Sequence, residues 1–412
     1  MNESERNQDT GDTRALEGVK VLEYCSRVSG PYCTKIMADF GAEVIKIEPP
    51  GVGDAARTFG PFAGDEPDPE KSGFFLYLNT NKRGLTLDPS RPEGRDIFLK
   101  LVREADVLIE DRPPGEMNAL GLGYRELEEI NPGLVMASLT PYGLSGPYKN
   151  YKAYNLNTSH VSGQGYLLPL VSPNRQRPPV KVGGYSSAYD PGMVLVLAVL
   201  AALFHKGLSG RGQFIELSKQ EALISMQRVE SVTFANDGVF MERTGRRNRM
   251  PGGVLPCKNG HVVIITPEDH QWEALLKLIG EPDWSREDWC RDRRLRAERA
   301  DEINEYLTEW TMQYTKEEIF RMGQALSCPV SPLHTAQDQV ESEQLAAREF
   351  FQENEHPAIG RVKFPTTPYR FSESPWRLER SAPLLGQDNE EIYGRLGFSR
   401  EQLDELDKQG VI

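Results

Sequence analysis

Short β-patterned runs alternate with helical ones through the first 110 residues, and this alternation constrains the fold more than any other feature of the chain. Val19 to Tyr24 reads as an apolar strand, and Gly30-Pro31 then opens a helical pattern that runs through Ile36, Met37 and Phe40 and stops at Gly41. Proline suits the first turn of a helix and glycine the position past its end, so this helix carries both boundary signals. A second strand covers Glu43 to Glu48, further β signals lie at Leu85-Thr86-Leu87 and Val107-Leu108-Ile109, and a helix from about Glu93 to Glu104 separates them. Strands alternating with helices predict an α/β fold with a parallel, Rossmann-like sheet. No G-x-G-x-x-G follows the first strand, which removes the best support for a nicotinamide or flavin site. Gly121-Leu-Gly-Tyr124 precedes a helix without a strand before it, so its two glycines give little support to a phosphate loop.

The 412 residues exceed a usual single core, so two domains are expected. Residues 1–15 are polar and acidic and read as a disordered arm. Residues 16–225 form the first part of the large domain, 226–330 a smaller inserted domain, 331–375 an extended connection rich in proline and glycine, and 376–412 the part of the large domain that the chain end supplies. In the smaller domain, Asn259-Gly260 marks a hairpin turn within Cys257 to Thr266. Asp190-Pro191-Gly192 reads as the cap and start of a buried helix, and Ser218-Lys-Gln-Glu221 as a capping box. The longest apolar run, Met193 to Phe204, is shorter than the roughly 20 residues that span a bilayer. A net charge of -13 opposes binding to nucleic acid or anionic membranes, so any phosphate-bearing ligand must meet a local basic patch. Five scattered cysteines without a C-x-x-C pair predict a reducing, cytoplasmic setting, and the six histidines show no metal-ligand spacing.

From Leu16 to Ile412 the chain resembles the class III (CaiB/BaiF) coenzyme A transferases at many separated points. These include Leu16-Glu-Gly-Val-Lys-Val-Leu-Glu23, Ser29-Gly-Pro31, Ala38-Asp-Phe-Gly-Ala-Glu-Val-Ile-Lys-Ile-Glu-Pro49, Gly53-Asp54 with Arg57, and Asn79-Thr-Asn-Lys-Arg83. Ala105-Asp-Val-Leu-Ile-Glu110, Gly210-Arg-Gly-Gln213, Cys328-Pro-Val330 and the closing Gly410-Val-Ile412 continue it. The resemblance implies a Rossmann-like large domain built from both chain ends, a small inserted domain, and two chains interlocked as a dimer. It also implies a coenzyme A thioester as substrate, with no covalently bound cofactor and no metal. In such enzymes a carboxylate attacks the donor thioester, forms a mixed anhydride, and is converted to an enzyme-bound thioester that serves the acceptor acid.

The resemblance places that aspartate in a G-Y-D-x-x-x-Q-A-x-S-G segment, where this chain reads Ala153-Tyr-Asn155-Leu-Asn-Thr-Ser-His-Val-Ser162-Gly163. Asn155 thus stands where the nucleophile is expected. Ala153, Ser159 and His160 depart from the pattern as well, which points to drift of the whole segment. Asp111 and Ala119 replace an asparagine and an arginine of the segment that the resemblance turns towards CoA. The remaining candidates for CoA binding are Arg57, Lys82, Arg83 and Arg112, and a basic, glycine-bearing run supplies lid candidates Arg247, Arg249, Gly252 and Gly253. Asp190 and Glu221 are acids that could replace the nucleophile, though both read as helix caps, and His160 could act as a base. The reading these residues favour is the non-nucleophilic subunit of a heteromeric class III enzyme. A homologous, aspartate-bearing subunit would be its partner, and CoA would pass from a donor such as succinyl-CoA to a benzylsuccinate-type or other aromatic or dicarboxylic acid. The alternatives are a self-sufficient lyase, isomerase or hydratase acting on a CoA thioester, and a regulatory protein that binds acyl-CoA.

Overall fold

The computed structural model describes residues 13–169, 174, 176–226, 229–243 and 250–412. It divides into two compact units, one of residues 1–166, 181–240 and 349–412 and the other of 167–180 and 241–348. The first unit begins β1 (Lys20–Tyr24), α1 (Ser29–Asp39), β2 (Glu43–Glu48), α2 (Gly73–Leu78), β3 (Lys82–Thr86), α3 (Pro92–Glu104) and β4 (Val107–Glu110). It continues with α4 (Glu116–Ala119), α5 (Tyr124–Ile130), β5 (Val135–Thr140), α6 (Asn155–Val161), α7 (Ser186–Ser209), β6 (Phe214–Ser218), α8 (Lys219–Met226) and α9 (Glu230–Asp237).

Strands β1 to β6 form one parallel sheet in the order β3-β2-β1-β4-β5-β6, with Leu22 opposite both Ile45 and Leu108. This is the doubly wound order, in which the chain turns outward in both directions from β1 and β4. Because helices cover both faces, successive strand residues are apolar on both sides. Leu22, Ile45, Leu85, Leu108 and Met136 face a core closed by Ile97, Phe98, Leu101 and Val102 of α3. On the other face Val21, Val44, Val107, Val135 and Ala137 pack against Met37 of α1 and Leu195 and Val199 of α7. The expected strands β1, β2 and β4 and the first helices therefore stand within a residue or two of their sequence signals, whereas β3 begins three residues before its own. The edge strand β6 was not marked by any of them: its burial is confined to Leu217 and Ser218, and its composition lacks the apolar run of a central strand.

Helix α7 departs from expectation in three ways. It begins at Ser186, because the Tyr185 carbonyl accepts bonds from the Ala188 and Tyr189 amides, so Asp190 and Pro191 lie inside the first turns and Asp190 is not its cap. At 24 residues it is long and apolar enough to cross a membrane by length and composition. It is also not buried all round: Leu195, Val196 and Val199 enter the core, whereas Leu197, Phe204 and Leu208 are 69%, 72% and 76% exposed.

In the second unit β7 (Gly252–Cys257) and β8 (Gly260–Ile265) form the expected hairpin, joined by the antiparallel β9 (Val330–Pro332). Helices α10 (Asp269–Leu278), α11 (Arg293–Glu298), α12 (Ala300–Thr311) and α13 (Lys316–Ala325) lie between, and Trp272, Leu275, Ile303, Leu307 and Ile319 fill the core. The 331–375 segment is less extended than its prolines suggest. It holds α14 (Ala336–Val340), α15 (Glu343–Ala347) and, in the first unit, the hairpin β10 (Phe351–His356) and β11 (Gly360–Pro365). The chain ends in α16 (Asn389–Arg395) and α17 (Arg400–Lys408), whose Ile392, Tyr393 and Leu406 close the α3 face of the sheet. The arm up to residue 12 lies outside the described residues.

Candidate active site

In open parallel sheets ligands sit beyond the carboxyl ends of the strands, where the strand order reverses. Here that place is the turn after β1, from Cys25 to Pro31. Two glycines shape it. A Cβ on Gly30 would lie 2.4 Å from the Cys25 sulfur, and one on Gly192 would lie 2.5 Å from the Ser29 carbonyl oxygen, so only glycine lets α1 approach both β1 and α7 this closely. Beyond the turn opens a cavity of about 470 Å3. Arg27 and Ser29 come from the turn, Asn155 from the first position of α6, Lys181 and Ala188 from the approach to α7 and its first turn, and Lys219 from the residue after β6.

The charge of this cavity is one-sided. Arg27, Lys181 and Lys219 line it, and no carboxylate does among the described residues. Asn155 donates from Nδ2 to the Gly184 carbonyl at 3.3 Å, while its Oδ1 is buried without a partner. Ser29, 1% exposed, also has an unpartnered hydroxyl. Burial depresses the Lys219 ammonium pKa and Arg27 adds to the effect, with Asp111 and Cys25 opposing it. A second cavity, of about 560 Å3, lies past β4 and is lined by Glu110, Arg112, Gly115, Tyr124 and Phe214, among others. Burial there pushes the Glu110 carboxyl up to about 7, although the Arg112 amide donates to it at 2.7 Å.

The structure separates the basic candidates. Lys82 is fully buried and its ammonium is shared among Glu23 at 2.8 Å, Asn79 at 2.9 Å and the Pro31 carbonyl at 2.8 Å. Arg57, 1% exposed, bonds Glu48 through Nε at 2.7 Å and Nη2 at 2.8 Å, and Glu70 through Nη1 at 2.7 Å, and stacks on Phe75. Both were expected to face CoA, and both are instead consumed by interior ion pairs, Lys82 with Glu23 of β1 and Arg57 with Glu48 of β2 and with Glu70. Arg83 pairs with Glu391 at 2.5 Å and Glu43 at 3.8 Å, beside α16, and lines neither cavity. Arg112 does line the second cavity, but its guanidinium bonds Asp111 at 2.7 Å and stacks on Tyr24 at 4.8 Å, so the carboxylate foreign to the family pattern neutralises it.

Gly252 and Gly253 open strand β7, with the Gly252 amide donating to Asn304 at 2.6 Å, and are therefore sheet residues and not a lid loop. Arg247 and Arg249 lie outside the described residues. The Ser218 hydroxyl accepts from the Glu221 amide at 3.3 Å as a cap. Asp190 accepts a 3.4 Å bond from Gln164, and burial raises its pKa. Neither acid lines the Asn155 cavity, nor does His160, which sits on the same helix as Asn155. Arg27, Lys181 and Lys219 were the site residues that sequence reasoning missed. A charged residue directly past a strand's carboxyl end, as Arg27 and Lys219 are, is the signal that marks them once the strands are known.

The description "CoA-transferase family III" matches residues 16–389. Among curated relatives, the formyl-CoA:oxalate CoA-transferase of Rhodopseudomonas palustris (strain BisA53) is 32% identical over 97% of this chain and 98% of its own length. That of Bradyrhizobium diazoefficiens is 31% identical over 97% and 98%. Among solved structures, a CAIB/BAIF family protein from Brucella suis aligns with a TM-score of 0.82 and 26% identity, covering 93% of this chain and 100% of that one. Rv3272 from M. tuberculosis aligns at 0.76 and 27%, covering 92% and 99%. With the doubly wound sheet and the cavity beyond β1 in place, the chain belongs to the class III (CaiB/BaiF) CoA-transferases, enzymes whose substrates are CoA thioesters and carboxylic acids.

Proposed function

We propose that this chain is the non-nucleophilic member of a pair, in which a homologous subunit carries the aspartate and the two together move CoA from a thioester donor to a carboxylic acid. The observation that carries this reading is the cavity lining: among the described residues, Asn155, Ala188 and their neighbours include three cations and no carboxylate. Acyl transfer through an anhydride needs an ionised oxygen, and a carboxamide oxygen is too weak a nucleophile to replace it. Lys219 is no substitute, since an acylated amine is an amide and does not hand its acyl group on. The expectation of an interlocked pair is supported by the exposed apolar stripe of Leu197, Phe204 and Leu208 on α7, which a single chain leaves in water.

Succinyl-CoA with a benzylsuccinate-type acid is one substrate pair to assay, and formyl-CoA with oxalate, for which the relatives are named, is the other. The purified chain given either thioester and acid should release no CoA and show no acyl or CoA adduct by intact mass, whereas co-expression with a homologous aspartate-bearing chain should yield a co-purifying, active pair. Transfer by the chain alone at the rate of the pair would refute the reading. Asn155→Asp and Ala188→Asp each place a carboxylate on the cavity wall, and a thioester adduct on either variant, absent from the parent chain, would locate the position where the nucleophile is missing.

A further inference from the structure

Hairpin β10–β11 turns through His356-Pro-Ala-Ile359, and the Ile359 amide donates to the His356 carbonyl at 3.3 Å. Proline suits the second position of such a turn because its fixed φ matches what that position requires. The first position usually falls to Asp, Asn or Ser, whose side-chain oxygen takes the amide two residues on. Here His356 fills it, and its Nδ1 accepts from the Ala358 amide at 3.2 Å. An imidazole nitrogen accepts only when it carries no proton, so this bond assigns a neutral ring with its proton on Nε2. The residue is 1% exposed. It lies where the hairpin meets the first unit, whose Ala56, Phe75, Leu76 and Ala382 form a small core with Phe364 of β11. Outside the hairpin, Arg57, Glu70 and the Ala382 backbone act on the ring. Glu70, the acid among them, is already engaged, through Oε2 with Arg57 at 2.7 Å and through Oε1 with the Leu385 amide at 3.0 Å. The hairpin's own charges, Glu353, Glu355, Arg361 and Lys363, are exposed, and Glu353 pairs with Arg361 at 3.4 Å and Lys363 at 3.7 Å.

We propose that His356 is an acid-sensitive latch: as a neutral ring it closes the β10–β11 turn against the first unit, and a proton on Nδ1 opens that turn and loosens the hairpin. A protonated Nδ1 would aim a donor at the Ala358 amide, itself a donor. It would also place a buried cation near Arg57, where the neighbouring carboxylate is spoken for. Burial accordingly holds the imidazole below its ordinary pKa of 6.5, with Arg57 adding to this and Glu70 and the Ala382 backbone opposing it. A depressed folded pKa means that the latch's contribution to stability is fully present above pH 6.5 and is lost as pH falls from there through the folded value. The first unit resumes at residue 349 and β10 is its next strand, so acid acts on the segment through which the chain re-enters that unit. No residue lining the Asn155 cavity takes part, and the latch and the paired-subunit reading stand or fall separately.

Hydrogen exchange of the full chain, followed by mass spectrometry and corrected for the intrinsic effect of pH, tests this. Between about pH 7.5 and about pH 5 the amides of β10 and β11 should come to exchange about fivefold faster or more, while those of β1 and β2 stay within about twofold. His356→Asn offers an oxygen near the Nδ1 position and does not titrate. Its hairpin should match the parent within about threefold at the higher pH and show no acceleration at the lower. Circular dichroism reports whether that variant folds. If it does not, the slow exchange of the His356 ring C–H in the parent chain decides, because His356 is the only histidine after His334 and a fragment can isolate it. That ring should titrate below 6.5. The latch is overturned if the hairpin does not respond to acid, if β1 and β2 accelerate as much as the hairpin, if His356→Asn responds as the parent does, or if the ring titrates at or above 6.5.

Discussion

Two clusters of charge lie on either side of the turn after β1, and they differ in one respect. Beneath the turn, Lys46 is fully buried between Glu23 and Asp54, both at 2.7 Å, Glu23 also meets Lys82, and Arg57 closes on Glu48 and Glu70. Burial pushes the Glu23 carboxyl up, but Lys46 and Lys82 outweigh it and hold it below its ordinary value; the same competition leaves Asp54 at about 2 and Lys82 at about 8. Above the turn, Arg27, Lys219, Ser29 and the Asn155 oxygen lack such partners. Saturated charges hold a fold together, and unsaturated ones at a cavity wait for a ligand.

The largest expected effect breaks the saturated cluster. Glu23→Gln leaves two buried ammoniums short of an anion and should cost about 3–5 kcal/mol in urea unfolding. A loss below about 1 kcal/mol would mean that solvent reaches the cluster and that its pairing is not structural. Glu110 gives the next effect. Its folded pKa, about 7, lies above the ordinary 4.5, so the protonated form is favoured by folding. The stability this contributes is fully present below pH 4.5 and is lost as pH rises through 7. Glu110→Gln, neutral throughout, should be more stable than the parent at pH 8 by about 1–3 kcal/mol and lack that slope. The smallest effect sharpens the contrast. Lys219→Met removes a cation that has no ion-pair partner among the described residues, so melting should show a change within about 1 kcal/mol. A loss as large as that of Glu23→Gln would place Lys219 in the structural class.

Much of the architecture was legible because its signals are local. The apolar runs of β1, β2 and β4, the Gly30-Pro31 start of α1 and the Asn259-Gly260 turn each depend on residues within a few positions. The start of α7 was misplaced because Asp190-Pro191 carries a strong boundary signal, while the turn from Tyr185 that overrides it carries none. Lys82 and Arg57 were misread for a different reason. Lysine and arginine in a polar stretch read as ligand groups by residue type, but Lys82 and Glu23 stand 59 positions apart, and nothing near either announces the other. Lys219 was hidden inside a capping signal, Ser218 to Glu221, that the structure retains on the backbone side through Ser218.

The sequence by itself determined the α/β alternation, the family and the absence of an acid at Asn155, since each is written in residue order and identity. Only the tertiary structure decided which charges are satisfied and which face a cavity. Hydrophobic periodicity acts between neighbours along the chain, whereas the fate of a buried charge depends on what the folded sheet carries to within about 3 Å of it.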